Sequence, residues 1–225
     1  MKIIDAPQGT PEWAAARAGR VTASRITDVL SRARDRKSEG NTRRKYRAQL
    51  IAEILTGQPQ DDAFSSRAME QGIENEPFAR AAYEVLMGVD VERVGFVVHP
   101  KLERAGCSPD GLVGADGGVQ IKCPMPHTHI FWLLDGKVPV EHEPQLHWEM
   151  DCCERQWWAF FSYCPILPAP LNAFRVRLER DTKRIGEITA EVNLMLRDVD
   201  AALQAFGIPG FDLEAKLRES LKEAA

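Results

Sequence analysis

The pattern of apolar and polar positions over the first 88 residues is helical. Between residues 42 and 56, apolar side chains recur three or four positions apart, and Gly57 follows as a stop signal. Thr22 is placed to cap an earlier helix, and Pro77 should kink or restart a later one. The helices predicted in this part of the chain cover residues 11–17, 22–30, 42–56 and 64–87, with a polar loop over 32–41.

The pattern then changes to short apolar runs separated by turn residues, which indicates strands. The predicted strands cover residues 91–99, 102–107, 111–113, 119–123, 156–163 and 173–180, with a turn at 115–118. Further helices are predicted over 126–135, 143–153, 182–206 and 212–224. This order predicts an α/β (α+β mixed) fold in which a central mixed β-sheet is flanked by helices. We expect one domain over residues 1–225, with N-terminal helices at about 11–88 and C-terminal helices at about 182–224 packed on its core.

Composition excludes several classes of protein. The chain has 225 residues, 44% of them hydrophobic, so it can bury a core without disulfide or metal staples. We find no apolar run near the roughly 18 residues of a membrane span, and no signal peptide. Five cysteines without a C-x-x-C pair favour reduced, mostly buried thiols in a cytoplasmic protein. The pairs His127-x-His129 and His142-x4-His147 leave structural zinc as a weak alternative.

Charge is distributed unevenly along the chain. The net charge is −4, yet residues 17–47 hold eleven basic and three acidic side chains. A one-signed, arginine-rich segment favours contact with a phosphate backbone, although a solvated loop would give the same pattern. The side chains predicted to contact a nucleic-acid phosphate backbone are Arg32, Arg34, Arg36, Lys37, Arg43, Arg44, Lys45 and Arg47.

The candidate chemistry lies on two predicted strands. Asp110 stands at the start of one strand, and Gln120 and Lys122 are two apart on the next, so their side chains share a face. An acid, an amide oxygen, the Ile121 carbonyl and a lysine can therefore converge on one point. Oxygen ligands of this kind suit Mg²⁺ or Mn²⁺, which can activate water against a phosphate ester. A surface turn with a capping aspartate is the simpler alternative.

These residues form a PD-(D/E)xK arrangement, and with other blocks they resemble a known family. The chain resembles the phage-lambda-type exonucleases, also called YqaJ-like viral recombinases. The resemblance rests on Ser108-Pro109-Asp110-Gly111-Leu112, Ile121-Lys122-Cys123-Pro124, Gly72-x3-Glu76 followed by Ala79-Arg80, Arg17-x-Gly19-x2-Thr22-Ala23-Ser24, and Gln145. Together the blocks span residues 12 to about 165, and a restriction-endonuclease-like core is the fold they imply.

The resemblance also implies a role for each matching residue. Asp110 would bind two Mg²⁺ ions, for which Mn²⁺ can substitute, and position 120 and the Ile121 carbonyl would add ligands. Lys122 would assist the attacking water, and Glu76 would complete the metal and water shell. A pocket for the 5′-phosphate would be formed by Arg17, Ser24, Ser108 and Gln145.

The activity implied is the 5′-to-3′ degradation of one strand of linear double-stranded DNA. Mononucleotides are released and a 3′ overhang is left for recombination. The partners implied are a single-strand annealing protein and two further copies of the chain in a trimeric ring around the DNA.

Position 120 departs from the family pattern, because it is Gln where an acid is expected. Losing one negative ligand should weaken a metal position and slow the chemistry, so we expect an impaired Glu-to-Gln variant, either introduced or natural. Two other functions stay open. One is an endonuclease on the same core, which would also cut closed circular DNA. The other is a non-catalytic DNA-end binding module, which would show salt-dependent binding alone.

Overall fold

The structure is a computed structural model that describes residues 1–34, 38–60 and 67–208, with the side chains of 67–70 left aside. Its helices are α1 (Pro11–Arg17), α2 (Ile26–Val29), α3 (Asn41–Thr56), α4 (Arg67–Met87), α5 (Pro126–Asp135), α6 (Glu143–Cys152) and α7 (Thr182–Ala205). Its strands are β1 (Lys2–Ile4), β2 (Val21–Thr22), β3 (Val91–Glu92), β4 (Phe96–Val98), β5 (Ala105–Cys107), β6 (Gly111–Val113), β7 (Gly117–Lys122), β8 (Trp157–Tyr163) and β9 (Ala173–Glu179).

The strands form two mixed sheets. One has the order β1-β4-β5-β2 and the other the order β3-β6-β7-β8-β9. In the larger sheet, β6 and β7 form an antiparallel hairpin and β7 runs parallel to β8. The predicted α/β (α+β mixed) class, a mixed sheet flanked by helices, is confirmed, with its strands divided between two sheets.

Helices cover both faces of the larger sheet because its central strands are apolar on both faces. On one face, Tyr83 of α4 packs with Val119, Ile121 and Phe161. On the other face, Trp158 and Phe160 belong to the main core, which also contains buried residues of α3, α6 and α7. Gln120 pairs in register with Phe160, so its side chain faces the main core and α6.

Several sequence-based boundaries were wrong. The strand predicted over 91–99 is two strands, β3 and β4, which belong to different sheets. Gly95 lies between them, so close to β1 that a Cβ there would be 2.2 Å from the Ile4 carbonyl oxygen. The helix predicted from Thr22 begins with a single 3-10 turn, and the Thr22 side chain makes no capping hydrogen bond.

Helix α4 continues through Pro77 rather than restarting there. Proline removes the hydrogen bond to the Ile73 carbonyl, but Ile73 is exposed and water can satisfy that group. The helix predicted over 212–224 and the start of the one predicted from residue 64 lie outside the described residues. Among the described helices, none has the length and apolar character to cross a membrane.

Candidate active site

The β6–β7 hairpin brings Asp110 against Gln120. Gly111 pairs with Val119, so the residue before β6 stands opposite residue 120. The amide nitrogen of the Gln120 side chain donates to Asp110 Oδ2, and the Ile121 backbone N–H donates to the same oxygen over 2.6 Å. The predicted convergence of these residues is therefore present, although Ile121 contacts Asp110 through its N–H. A ligand role for its carbonyl stays a prediction.

Helix α6 extends the cluster with two residues one turn apart. Gln145 Nε2 donates to Gln120 Oε1 over 2.7 Å and to Glu149 Oε1 over 2.8 Å. Glu149 is fully buried, at 0% exposure. Its second oxygen, Oε2, has no hydrogen-bond partner among the described residues. A continuous polar chain thus runs from Asp110 through Gln120 and Gln145 to Glu149 inside an otherwise apolar core.

Helix α4 contributes an acid and a base from the other face of the sheet. Arg80 Nη2 donates to Glu76 Oε1 over 2.5 Å and to the Asp110 carbonyl oxygen over 3.3 Å. Arg80 therefore ties Glu76 to the loop that carries Asp110. Glu76 remains accessible, with 35% of its side chain exposed, so the cluster opens to solvent on this side.

Burial and the repulsion between neighbouring acids raise the pKa values of two carboxyl groups in the cluster. Burial raises the pKa of Asp110 from 3.8 to about 7, against the opposing effect of Lys122 and with a further rise from Glu76. Burial also raises the pKa of Glu149 well above its ordinary value, and the Asp110 carboxylate adds to that rise. A bound cation would relieve both effects, because it favours the charged form of each acid.

A second polar group lies on the other side of the Asp110 loop. Trp13 Nε1 donates to Ser108 Oγ over 2.8 Å, and Arg17 Nη1 donates to the same oxygen over 3.3 Å. The Arg17 guanidinium also stacks 4.2 Å from the centre of the Trp13 ring. Arg17, Arg20 and Arg25 line a pocket of about 70 Å³ that Glu53 also lines, and the excess of arginine over acid suits an anion such as phosphate.

The four residues expected to bind the 5′-phosphate separate into groups. Arg17 and Ser108 are in contact, as expected for one pocket. Ser24 Oγ lies 3.4 Å from Thr22 Oγ1, and Thr22 lines that pocket. Gln145 is instead committed to Gln120 and Glu149, so the structure places it in the carboxylate cluster.

The basic segment is partly neutralised by acids of α7. Arg43 is 3% exposed, pairs with Glu191 over 2.8 Å and donates to the Val29 carbonyl. The expectation that Arg43 contacts DNA is therefore wrong, because its charge is buried and used within the fold. Arg32 also pairs with Glu191, and Arg47 pairs with Glu39 over 2.7 Å.

The remaining members of the segment differ in exposure. Arg34, Arg44 and Lys45 are exposed and stay candidates for backbone contact. Arg36 and Lys37 lie outside the described residues.

The donor set fits a hard cation that keeps part of its water. Asp110, Glu76 and Glu149 offer carboxylate oxygens and Gln120 an amide oxygen, and the unpartnered Glu149 Oε2 is a buried acceptor without a donor. Within the described residues, no three His, Cys, Asp or Glu side chains are grouped closely enough to hold an ion alone. Mg²⁺ matches such a site, because it retains waters and meets substrate phosphate. The five cysteines, all within the described part, are free thiols.

Sequence reasoning assigned no role to three residues of the site, although Arg80 belongs to a block that carries the family resemblance. Glu149 follows Gln145 by one helical turn, and this spacing, which places both on one face of α6, was the available signal. Arg80 follows Glu76 at the i,i+4 spacing of a helical ion pair. Trp13 carried no signal, since only the folded chain brings its indole to Ser108.

Fold and cluster together define a nuclease of the PD-(D/E)xK type. Residues 12–156 match the model of the YqaJ-like viral recombinase domain, and the chain belongs to this family. Comparison with curated proteins gives no match.

Solved structures of exonucleases resemble the chain over most of its length. The alkaline exonuclease LHK-Exo from Laribacter hongkongensis is 41% identical, with a TM-score of 0.81 over 88% of this chain and 96% of that one. LHK-Exo in complex with dAMP is 40% identical, with a TM-score of 0.80 over 95% and 99%. A phage-related exonuclease from Haemophilus somnus 129PT is 12% identical, with a TM-score of 0.65 over 83% and 96%, which speaks for the fold alone. The family resemblance inferred from the sequence is confirmed.

Proposed function

We propose that the chain is a Mg²⁺-dependent exonuclease that degrades one strand of linear double-stranded DNA from its 5′ end. It releases 5′-mononucleotides and leaves a 3′ overhang for recombination by single-strand annealing. The main support is the contact of the Ser108–Asp110 loop with both polar groups. Ser108 accepts from Arg17, and Asp110 accepts from Gln120 and Ile121. A grip for the terminal phosphate thus adjoins a site for ester hydrolysis.

In the proposed reaction, each residue of the site has a separate role. Water attacks phosphorus, and the bond to the 3′ oxygen of the terminal nucleotide breaks. That oxygen takes a proton, and the next nucleotide is left with a 5′-phosphate. Asp110 and its neighbours would hold a Mg²⁺ ion, which would supply charge neutralisation at the phosphate. Lys122 orients the attacking water, and Arg17 holds the terminal phosphate. Because each cleavage regenerates a 5′-phosphate, the same pocket can hold the shortened strand.

The support from relatives is of two kinds. LHK-Exo is an alkaline exonuclease, and its structure with dAMP shows that this relative accepts a deoxynucleoside monophosphate. A monophosphate of that kind is the product that our proposal expects from this chain.

Digestion of a linear duplex labelled at the 5′ end, compared with a closed circle, tests both the need for a free end and the direction of degradation. The chain, supplied with Mg²⁺ or Mn²⁺, is expected to degrade linear duplex labelled at the 5′ end and to leave a closed circle of the same sequence intact. Chromatography of the products should show 5′-mononucleotides from the first time point. Cutting of the circle would favour an endonuclease, and salt-dependent binding without any cleavage would favour an end-binding module.

Gln120 bears on how active the chain is. The hypothesis of an impaired Glu-to-Gln variant expects Gln120→Glu to restore digestion of linear duplex with Mg²⁺. That hypothesis requires that no other acid supplies the missing negative charge. Near Gln120, however, lies the acid Glu149, which Gln145 links to it.

Assembly, domain organisation and location complete the proposal. A homotrimeric ring is supported by exposed apolar side chains on α4, including Ile73, Phe78 and Val85, and light scattering of the purified chain tests it.

A single nuclease domain over 1–225 is supported by the packing of α7 into the main core. A cytoplasmic location is supported by the free cysteines. The annealing protein is a proposed partner that co-purification with a candidate would test.

A further inference from the structure

Glu149 is a fully buried acid without the charged partners that the half-buried acids of its helix have. Asp151, two residues later, accepts from both His99 and Arg180. Glu143, on the same helix, is paired with Arg184 over 3.0 Å. Glu149 accepts one hydrogen bond, from an uncharged amide, and its Oε2 accepts none from the described residues. A carboxylate in an apolar core without a cation is costly, so packing alone does not account for it.

The position of Glu149 connects it to the carboxylate cluster. Its Oε1 and Gln120 Oε1 both lie within 2.8 Å of the same nitrogen, Gln145 Nε2. The charged residues that act on it are Asp110 and Lys122, the acid and the lysine of the motif. Glu149 therefore belongs to the same site, and it approaches from α6 rather than from β7.

The charges of the site indicate that the second acid has moved from position 120 to position 149. Position 120 carries an amide where the PD-(D/E)xK arrangement has an acid, which leaves Asp110 as the acid that the motif supplies from the hairpin. Glu149 can restore the lost negative charge, because only Gln145 stands between it and Gln120 in the chain of hydrogen bonds. Gln120 can bridge its two neighbours because an amide both donates, here to Asp110, and accepts, here from Gln145.

We propose that Glu149 is the second acidic ligand of the divalent cation, in place of an acid at position 120. The inference rests on the proposed function, and it makes the chain a competent nuclease whose second acid comes from a helix. Gln120 then has a positioning role, because it holds the Asp110 carboxylate and the Gln145 amide in place.

An exchange of the two side chains tests the inference. Four proteins are compared: the chain itself, Glu149→Gln, Gln120→Glu, and the double variant with both changes. The first measurement is the affinity for Mn²⁺ without DNA, by calorimetry or electron paramagnetic resonance. The second is the rate of digestion of 5′-phosphorylated linear duplex with Mg²⁺. Glu143→Gln, a change on the same helix but facing Arg184, serves as the matched control.

Glu149→Gln is expected to weaken Mn²⁺ binding and slow digestion by roughly 10- to 100-fold or more each. The double variant should regain most of both losses, because the acid returns to the site from β7. Gln120→Glu alone should not accelerate digestion. Glu149→Gln should melt no earlier than the unchanged chain in EDTA, since glutamine keeps the bond from Gln145 and removes a buried charge.

The failures of the two proposals are distinguishable. If the chain digests DNA and Glu149→Gln binds Mn²⁺ and digests equally well, the inference is overturned and the proposed function stands. If Gln120→Glu alone raises activity many-fold while Glu149→Gln changes nothing, the impaired-variant hypothesis replaces it. If Mn²⁺ affinity falls in Glu149→Gln but no variant cleaves DNA, the ligand assignment survives and the exonuclease proposal fails.

Discussion

Replacing Asp110 with asparagine should make the protein more stable in the absence of divalent cations. Asp110 Oδ2 accepts both the Gln120 and the Ile121 hydrogen bonds, and an asparagine oxygen in that place can accept both. The substitution thus removes a negative charge while keeping the contacts. The charge is unfavourable in the fold, because burial raises the pKa of Asp110 from 3.8 to about 7.

The size of this effect follows from linkage. A raised pKa in the folded state means that the ionised acid costs stability, and the cost grows between pH 4 and pH 7 and is constant above. A shift from 3.8 to about 7 corresponds to about 4 kcal/mol at pH 8, at about 1.4 kcal/mol per pKa unit. Asp110 retains some contact with solvent, which screens the charge, so this value is an upper bound. It equals about 8–16 °C in melting temperature for a chain of this size.

Thermal melting in EDTA at a series of pH values measures the effect. The melting temperature of Asp110→Asn minus that of the unchanged chain should be small at pH 4, rise towards pH 7, and then level off. Adding Mg²⁺ at pH 8 should raise the melting temperature of the unchanged chain and leave that of the variant nearly constant. A difference that does not grow with pH, or a variant that melts earlier at pH 8, would refute this account of the site.

Four further substitutions test the other assignments. Arg17→Ala should slow digestion of 5′-phosphorylated ends more than that of 5′-hydroxyl ends, and equal slowing on matched duplexes would remove it from the phosphate pocket. Lys122→Ala should slow cleavage by roughly 100-fold or more without weakening Mn²⁺ binding, because its charge acts on the reacting phosphate rather than the cation; calorimetry beside single-turnover kinetics would separate the two. Arg43→Ala should lower the free energy of unfolding by about 2–4 kcal/mol, because it leaves Glu191 and a buried carbonyl with fewer partners. Arg44→Ala should change stability by less than about 0.5 kcal/mol but weaken DNA binding and reduce its salt dependence, and denaturation with binding titrations at several salt concentrations would show the contrast.

The parts of the fold that follow from local pattern were predictable. Helix α3 and the β6–β7 hairpin each carry a clear period and turn residues, so their places were found to within about two residues. The division of residues 91–99 between two sheets was not, because a continuous apolar run does not encode which neighbour each half pairs with. The same limit applies to β1, whose partner β4 lies far along the chain.

The site divides in the same way. Asp110, Gln120 and Lys122 were predictable because a hairpin places nearby residues side by side. The roles of Gln145 and Glu149 depend on how α6 packs against β7, which is a tertiary contact without a sequence period. The prediction for Arg43 failed for a related reason, because Glu191 of α7, which neutralises it, is about 150 residues away along the chain.

The loop between β5 and β6 sets a distance that matters for the length of the fragment released. Ser108 and Asp110 are separated by one residue, Pro109, and such a span reaches at most about 7 Å. In the proposed exonuclease, the 5′-phosphate is held beside Ser108 and the ester is cleaved beside Asp110. Because the short backbone segment fixes the distance between these two points, it would also fix the number of nucleotides released in each cleavage.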